Sequence, residues 1–290
     1  MTRYNIMTDT IHRFIFDDFG IRGELVKLSD SSQRMIQGHQ YPKFISDLLQ
    51  QAAAVSVLLA TTLKFEGKIS IQLQTKGSLK MLVVQTSHEL GYRGVAQYDQ
   101  SIDYSQMTFK DISENGQMCI TIEPLKGKRY QGIVSLEGEN LAQCVETYFN
   151  QSEQLKTRIW LYNDHSQVFG LMLQALPDML SEESFQHLVF LATTLTKQEC
   201  LSVDSETLLH RLFHQETINN LAVDPIEFSC SCSQEKMLNS LTLLGEDEIK
   251  QILEEDGEIA MTCEFCLDHF AFTEIDIKKH RGLEGNSTEH

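Results

Sequence analysis

The 290-residue sequence lacks a run long enough to cross a membrane. Its longest charge-free apolar-rich stretch, Leu48 to Leu63, has 16 residues and is interrupted by Gln50, Gln51, Ser56, Thr61 and Thr62. A bilayer core requires ~20 apolar residues, so the stretch reads as a buried helix and no membrane partner is expected. Internal repeats, low-complexity runs, a Gly-rich phosphate loop, a Gly-x-Ser-x-Gly elbow and a convincing acid/base pair are missing too. Phosphate-cradling and nucleophilic chemistry therefore have little to stand on, and the chain is not expected to be an enzyme. Met1 to Asn5 leads into no apolar segment with a small-residue cleavage site, so the expected location is the cytoplasm. Apolar residues at 41%, with 16 glycines beside them, exclude wholesale disorder. The length suggests about two domains.

Basic residues are scarce, and unevenly so. The chain carries 24 basic and 41 acidic residues, a net charge of −17. Residues 1–177 hold 17 basic and 18 acidic residues, whereas 178–290 hold 7 and 23. Phosphate backbones bind Lys and Arg by releasing counterions, so the acidic C-terminal half argues against a nucleic-acid partner. The same charge favours solubility.

Along the first part, Ile11–Phe16 and Ile21–Leu28 flank a turn at Asp17–Gly20, the pattern of a hairpin. Ser29–Ser32 precedes a short helix, and Tyr41–Pro42 a long one ending near Lys64. Strands are expected at Lys68–Gln74, Leu79–Thr86, Tyr92–Tyr98, Met118–Glu123 and Arg129–Val134. A helix over Leu141–Asn150 and a hairpin of Arg158–Tyr162 and Val168–Leu176 follow. Strands broken by a few helices, without regular βαβ alternation, predict an α+β fold of antiparallel strands for residues 1–177.

From Ser181 the texture turns helical. Phe185, Leu188, Val189, Ala192 and Leu195 fall on one helical face, Thr196–Glu199 fits a capping box, and Leu208, Leu209, Leu212 and Phe213 line a further helix. Helices this short are marginal alone, so residues 178–227 read as a helical linker docked on the first domain. Residues 228–290 hold two more helices, about Gln234–Leu243 and Glu246–Glu255. The strands Glu258–Thr262 and His269–Thr273 then flank a cysteine turn, and the last dozen residues look unstructured.

Four of the seven cysteines are clustered, Cys230-Ser231-Cys232 and, thirty residues on, Cys263-Glu264-Phe265-Cys266. Two close pairs around a small insert can deliver four thiolates to one tetrahedral zinc. The Cys-x-Cys spacing and the long insert depart from a standard finger, while the strands around Cys263 and Cys266 resemble a zinc-knuckle hairpin. Buried structural thiols, permanent disulfides and a thioredoxin-type Cys-x-x-Cys are weaker alternatives. The segment is polar, the expected compartment is reducing, and Glu264 and Asp268 oppose a lowered thiol pKa. Cys119, Cys144 and Cys200 stand alone in apolar settings and read as small core residues. His210 and His214 are spaced as ligands could be, but Arg211 occupies the position of a zincin's glutamate. They read as the polar face of a helix.

The sequence resembles the redox-regulated heat-shock chaperones of about 33 kDa, bacterial holdases. The resemblance is carried by Arg13-Phe14, Arg22-Gly23-Glu24-Leu25-Val26, Tyr41-Pro42, Leu63-Lys64-Phe65-Glu66-Gly67, Arg129-Tyr130-Gln131-Gly132-Ile133-Val134, Tyr148-Phe149, Ser152-Glu153-Gln154-Leu155, Leu208-Leu209-His210-Arg211-Leu212 and both cysteine pairs. Only the tail from about Lys278 has no counterpart. The resemblance implies a client-binding surface on residues 1–177, a linker over it, and a redox-sensing domain at 228–290 holding one zinc in the reduced state. It further implies disulfides Cys230–Cys232 and Cys263–Cys266 on oxidation, unfolding proteins as partners during oxidative and heat stress, and a homodimer in the oxidised form. The linker stripe of Phe185, Leu188, Val189, Ala192 and Leu195 would act as a latch. The rival reading is a zinc-ribbon module attached to an enzyme or a nucleic-acid factor.

Overall fold

The structure is a computed structural model and describes residues 9–62, 66–177, 181–241 and 243–280, without the side chains of Asn220 and Leu221. The chain divides into two compact units, Met1–Ser229 and Cys230–His290.

The first unit opens with the expected hairpin, β1 (Thr10–Phe16) and β2 (Ile21–Leu28), closed by Gly20 at φ 64°. Helix α1 (Asp30–Ile36) starts at the serine cluster, but no serine side chain caps it. The Asp9 carboxylate does so instead, accepting from the Ser29 amide at 2.8 Å, the Ser29 hydroxyl at 2.7 Å and the Ser31 amide at 2.7 Å. Helix α2 (Lys43–Ala60) begins after Pro42, whose fixed φ suits a helix start. By length and composition α2 could cross a membrane, yet 72% of it is buried inside the unit, as a core helix should be. It stops short of Lys64; Leu63–Phe65, part of the resemblance, lie outside the described residues.

Strands β3 (Gly67–Gln74), β4 (Leu79–Ser87), β5 (Gly91–Tyr98), β6 (Gln117–Pro124) and β7 (Tyr130–Ser135) follow. A short helix that periodicity missed, α3 (Phe109–Ser113), sits between β5 and β6, closed by a capping box of Thr108 and Asp111. After α4 (Leu141–Tyr148) and a π turn at Phe149–Glu153 comes the hairpin β8 (Thr157–Asn163) and β9 (Val168–Ala175). The expected linker supplies α5 (Glu182–Thr193), α6 (Lys197–Ser202) and α7 (Ser205–Phe213), with the capping box of Thr196 and Glu199 formed. It is not helical throughout, however: β10 (Asn219–Pro225) and β11 (Glu227–Phe228) end it. Their partners lie some 200 and 130 residues away in sequence, and hydrophobic periodicity does not register such pairing.

The strands form two sheets, β10-β1-β2-β9-β8 and β11-β5-β4-β3-β6-β7, antiparallel except for the β11–β5 pair. Alternation sends each strand's side chains to opposite faces. In the five-stranded sheet Val26, Leu28, Val168 and Met172 join a core around α2, which also receives Ile69, Ile71, Leu82 and Val84 from the six-stranded sheet. On the other face Phe14, Phe16, Ile21, Leu25, Phe169, Leu171 and Leu173 form a second core with Phe185, Leu188, Ala192, Leu195, Leu208 and Phe213 of the linker. Strand β9 is consequently buried at every position.

The second unit contains α8 (Gln234–Leu241), α9 (Glu246–Asp256), the hairpin β12 (Ile259–Thr262) and β13 (His269–Phe272), and α10 (Glu274–His280). Among the described residues its buried core is five side chains, Leu241, Ile249, Ile259, Phe272 and Ile277. The α10 helix corrects the reading of an unstructured end, since Lys279 and His280 are helical; 281–290 lie outside the described residues. The missed signal is Thr273-x-x-Asp276, where the Asp276 carboxylate accepts from the Thr273 amide at 2.9 Å and hydroxyl at 2.7 Å.

Candidate metal centre

Local backbone geometry presents each cysteine pair. Cys263 and Cys266 occupy the turn between β12 and β13, whose ladder ends at Thr262 and His269. The Cys263 amide donates to the Asp268 carbonyl at 2.9 Å, and the Leu267 amide donates to the Cys263 carbonyl at 2.8 Å, with Leu267 at φ 61°. That left-handed residue folds the turn into a knuckle with both sulfurs on one side. Cys230 and Cys232 precede α8, where the Lys236 ammonium donates to the Ser231 carbonyl at 2.5 Å and the Met237 amide to the Ser233 carbonyl at 3.0 Å.

The four sulfurs lie within 4.8 Å of one another, with Cys230 and Cys263 at 3.7 Å and Cys232 and Cys266 at 3.3 Å. A tetrahedron with Zn–S bonds of about 2.3 Å has S···S edges of about 3.8 Å, so the donor set and its spacing fit one tetrahedral ion. The nearest sulfurs belong to different pairs, and distance alone selects no disulfide pairing. Cys263 is buried and the other three are half-buried. Burial pushes the Cys232 thiol up to about 11, the Cys266 sulfur working against it and Cys230 and Cys263 with it, and burial raises Cys266 as well, with the other three sulfurs adding to that. Without a cation Cys232 and Cys266 therefore hold their protons, whereas a bound divalent cation would deprotonate coordinating thiols outright.

The remaining cysteines stand apart. Cys144 on α4 and Cys200 on α6 are fully buried, and burial pushes their thiols up to about 11 and about 12, so they are inert core groups as expected. Cys119 departs from that expectation. It is half-buried on the solvent face of β6, beside Gln131, because the strand's alternation turns Met118 and Ile120 inward instead. His210 and His214 are exposed on α7 with ring centroids 6.0 Å apart, and among the described residues no third ligand joins them.

In the linker, Phe185, Leu188, Ala192 and Leu195 are buried against the five-stranded sheet and Val189 is half-buried beside them; Leu195 lies just past the end of α5. Polar ties hold the same cover. The Lys27 ammonium donates to the Val203 carbonyl, Gln167 to the Leu201 carbonyl at 2.7 Å, and the Tyr162 hydroxyl to the Leu195 carbonyl at 3.3 Å. The sequence reading missed these groups, since a lysine within a strand carries no sign of its partner.

The reduced protein is expected to bind one metal equivalent, unchanged in Cys119→Ser, Cys144→Ser and Cys200→Ser. Replacing any one of Cys230, Cys232, Cys263 or Cys266 opens the tetrahedron. Elemental analysis of dialysed protein checks this; loss of the equivalent from one of the first three variants would show a wrong ligand set.

Comparison with known proteins places these features together. The sequence model of a family described as Hsp33 protein matches residues 9–273. The chain is 42% identical over 277 residues to the 33 kDa chaperonin of Pseudomonas fluorescens, covering 93% of this chain and 92% of that one. It is 42% identical over 271 residues to the 33 kDa chaperonin of Shewanella baltica, covering 93% and 94%. Among solved structures, the crystal structure of the 33 kDa chaperonin from Thermotoga maritima superposes with a TM-score of 0.82 at 16% identity, covering 96% of this chain and 98% of that one. At that identity the likeness shows the fold alone.

Proposed function

Because the chain belongs to the Hsp33 family of chaperones, we propose that it is a redox-regulated holdase, active on unfolding proteins in the cytoplasm during oxidative and heat stress and without enzymatic turnover. The observation that carries the reading is the four-cysteine cluster in a unit with a five-residue core, next in sequence to a linker that covers an apolar sheet face.

Zinc, one ion in the reduced state, would supply a tetrahedral cross-link and the positive charge that keeps the sulfurs as thiolates. Cys230, Cys232, Cys263 and Cys266 would hold it. Oxidation of the four sulfurs to the disulfides Cys230–Cys232 and Cys263–Cys266, the pairing implied by the resemblance, passes two electrons per disulfide to a peroxide, which is reduced to water. No thiolate then remains to hold a cation. Strand β11 ends at Phe228 and the first ligand is Cys230, so unfolding of the C-terminal unit acts directly on the last strand of the linker.

Release of the latch residues Phe185, Leu188, Val189, Ala192 and Leu195 would bare Phe14, Phe16, Ile21, Leu25 and Phe169 for clients. The acidic second half would keep the complexes in solution. Light scattering by a heat-denatured client tests the reading. Peroxide-treated protein at equimolar amounts is expected to suppress most of the signal and reduced, zinc-loaded protein little; equal effects from both would refute redox control.

A further inference from the structure

Near the C-terminal end of α2 the two sheets of the first unit enclose a cavity of about 390 Å³. Its apolar wall comes from Leu59 of α2, Ile69 of β3, Ile120 and Ile122 of β6, and Phe149 and Leu155 around the π turn. Small-molecule sites are commonly cavities of ~300–1,000 Å³ in which apolar side chains surround a few converging polar groups. A wall of leucine and isoleucine offers water few partners, so it favours an apolar occupant.

One cation faces that wall. Arg22 of β2 is half-buried at the cavity, and its Nη2 donates to the side-chain carbonyl of Gln174 on β9. Gln174 is buried and its own amide donates to Thr157 Oγ1 at 2.8 Å, which fixes the guanidinium from behind. A neutral amide orients a cation but does not balance its charge. Arg22 Nε is buried with no hydrogen-bond partner among the described residues. The nearby counter-charge is Glu24, two residues along the strand, which accepts from the Thr61 hydroxyl and which burial pushes up to about 7. At neutral pH that carboxyl is about half protonated, so the positive charge of Arg22 is balanced only in part. Burial accordingly lowers the Arg22 pKa. Among the residues that line the cavity the one acid is Glu153, which is exposed and already accepts from the Tyr148 hydroxyl at 2.9 Å and the Tyr130 hydroxyl at 3.4 Å.

We propose that this cavity binds a free medium-chain fatty acid, its carboxylate on the Arg22 guanidinium and its chain against Leu59, Ile69, Ile120 and Ile122. Arginine presents paired N–H groups that match the two oxygens of a carboxylate. At roughly 30 Å³ per non-hydrogen atom, the share of a water in the liquid, the cavity holds about a dozen such atoms, the size of decanoate. A ligand of that size with one charged contact binds with a dissociation constant of ~10–100 µM. The site lies within the first unit, away from the cysteine cluster, and requires no oxidation.

Isothermal titration of the reduced, zinc-loaded full chain with the sodium salts of octanoate, nonanoate, decanoate and tetradecanoate tests the proposal. One equivalent is expected, with affinity rising about fourfold per methylene up to decanoate and levelling off once the chain outruns the cavity. Decanol and decylamine, of the same length but without the carboxylate, should bind at least about tenfold more weakly. In Arg22→Met decanoate should bind no better than decanol, a loss of selectivity that a merely loosened wall would not produce. Ile122→Trp, a change at a half-buried position that leaves Arg22 in place, should fill the cavity and abolish binding of both. Unfolding midpoints and metal content of the unliganded variants show whether each is folded. No binding up to about 5 mM decanoate, uptake of several equivalents indifferent to both substitutions, decylamine bound as tightly as decanoate, or full binding by Ile122→Trp would each overturn the proposal.

Discussion

Treating the protein with peroxide in the presence of a metal chelator is expected to unfold residues 230–280 and release the linker, and to leave α2 and strands β1 to β9 folded. Five buried residues form the core of the second unit, and a module of that size rarely supplies more than ~3–5 kcal/mol from packing. Structural zinc contributes an apparent ~10–16 kcal/mol in zinc-finger peptides, several times as much. The four cysteines lie on the β12–β13 turn and just ahead of α8, so a metal held by them would tie the start of the unit to its hairpin. Hydrogen exchange should show amides of α8, α9, β12, β13 and α10 exchanging at the rate of an unfolded chain, while α2 and β9 keep their protection. Cys263→Ser, which removes the buried sulfur, should give the same pattern without oxidant. Protected β12 and β13 amides in the metal-free protein would show that packing alone holds the unit.

The variant Leu188→Asp, Val189→Asp should suppress client aggregation while reduced and zinc-loaded. Leu188 is fully buried between α5 and the five-stranded sheet, and an unpaired carboxylate there costs several kcal/mol in order of magnitude. Val189 is only half-buried and adds less. Helices α5 to α7 have six to twelve residues each and derive their stability from docking, so a penalty of that size on one face is enough to lift the cover. The C-terminal unit is untouched, and metal content should stay at one equivalent. If the latch residues themselves hold clients, the variant will be inactive both reduced and oxidised. Activity only after oxidation, as in the parent, would mean that the cover is no latch.

The readable parts of this fold are local. Alternation gave the hairpins, and the Thr196-x-x-Glu199 spacing gave the start of α6, because both signals lie within a few residues of what they describe. The four-cysteine cluster was readable for the same reason: paired cysteines in a polar segment have few uses other than meeting at one site. What stayed hidden depends on distant partners. Asp9 caps a helix twenty residues on, β10 pairs with β1, and Glu24, in the middle of β2, is buried where desolvation pushes its carboxyl up to about 7 while the Thr61 hydroxyl donates to it. Cys119 was misplaced because a residue's neighbours in sequence do not say which face of a strand it occupies. The resemblance to a chaperone family supplied the function, which composition and spacing did not contain.

Strand β9 is complete at Ala175 and β10 begins at Asn219, and the helices that cover the outer face of β9 are made in between. At about 5–20 residues per second a ribosome needs roughly 2 to 9 s to cross that interval. Every newly made chain therefore passes through a period in which Phe14, Phe16, Phe169 and Leu171 have no cover, whatever the state of its cysteines. During synthesis the molecule is itself an exposed apolar surface in need of shelter, and crowded polysomes would be the place where its own chains are most prone to stick to one another.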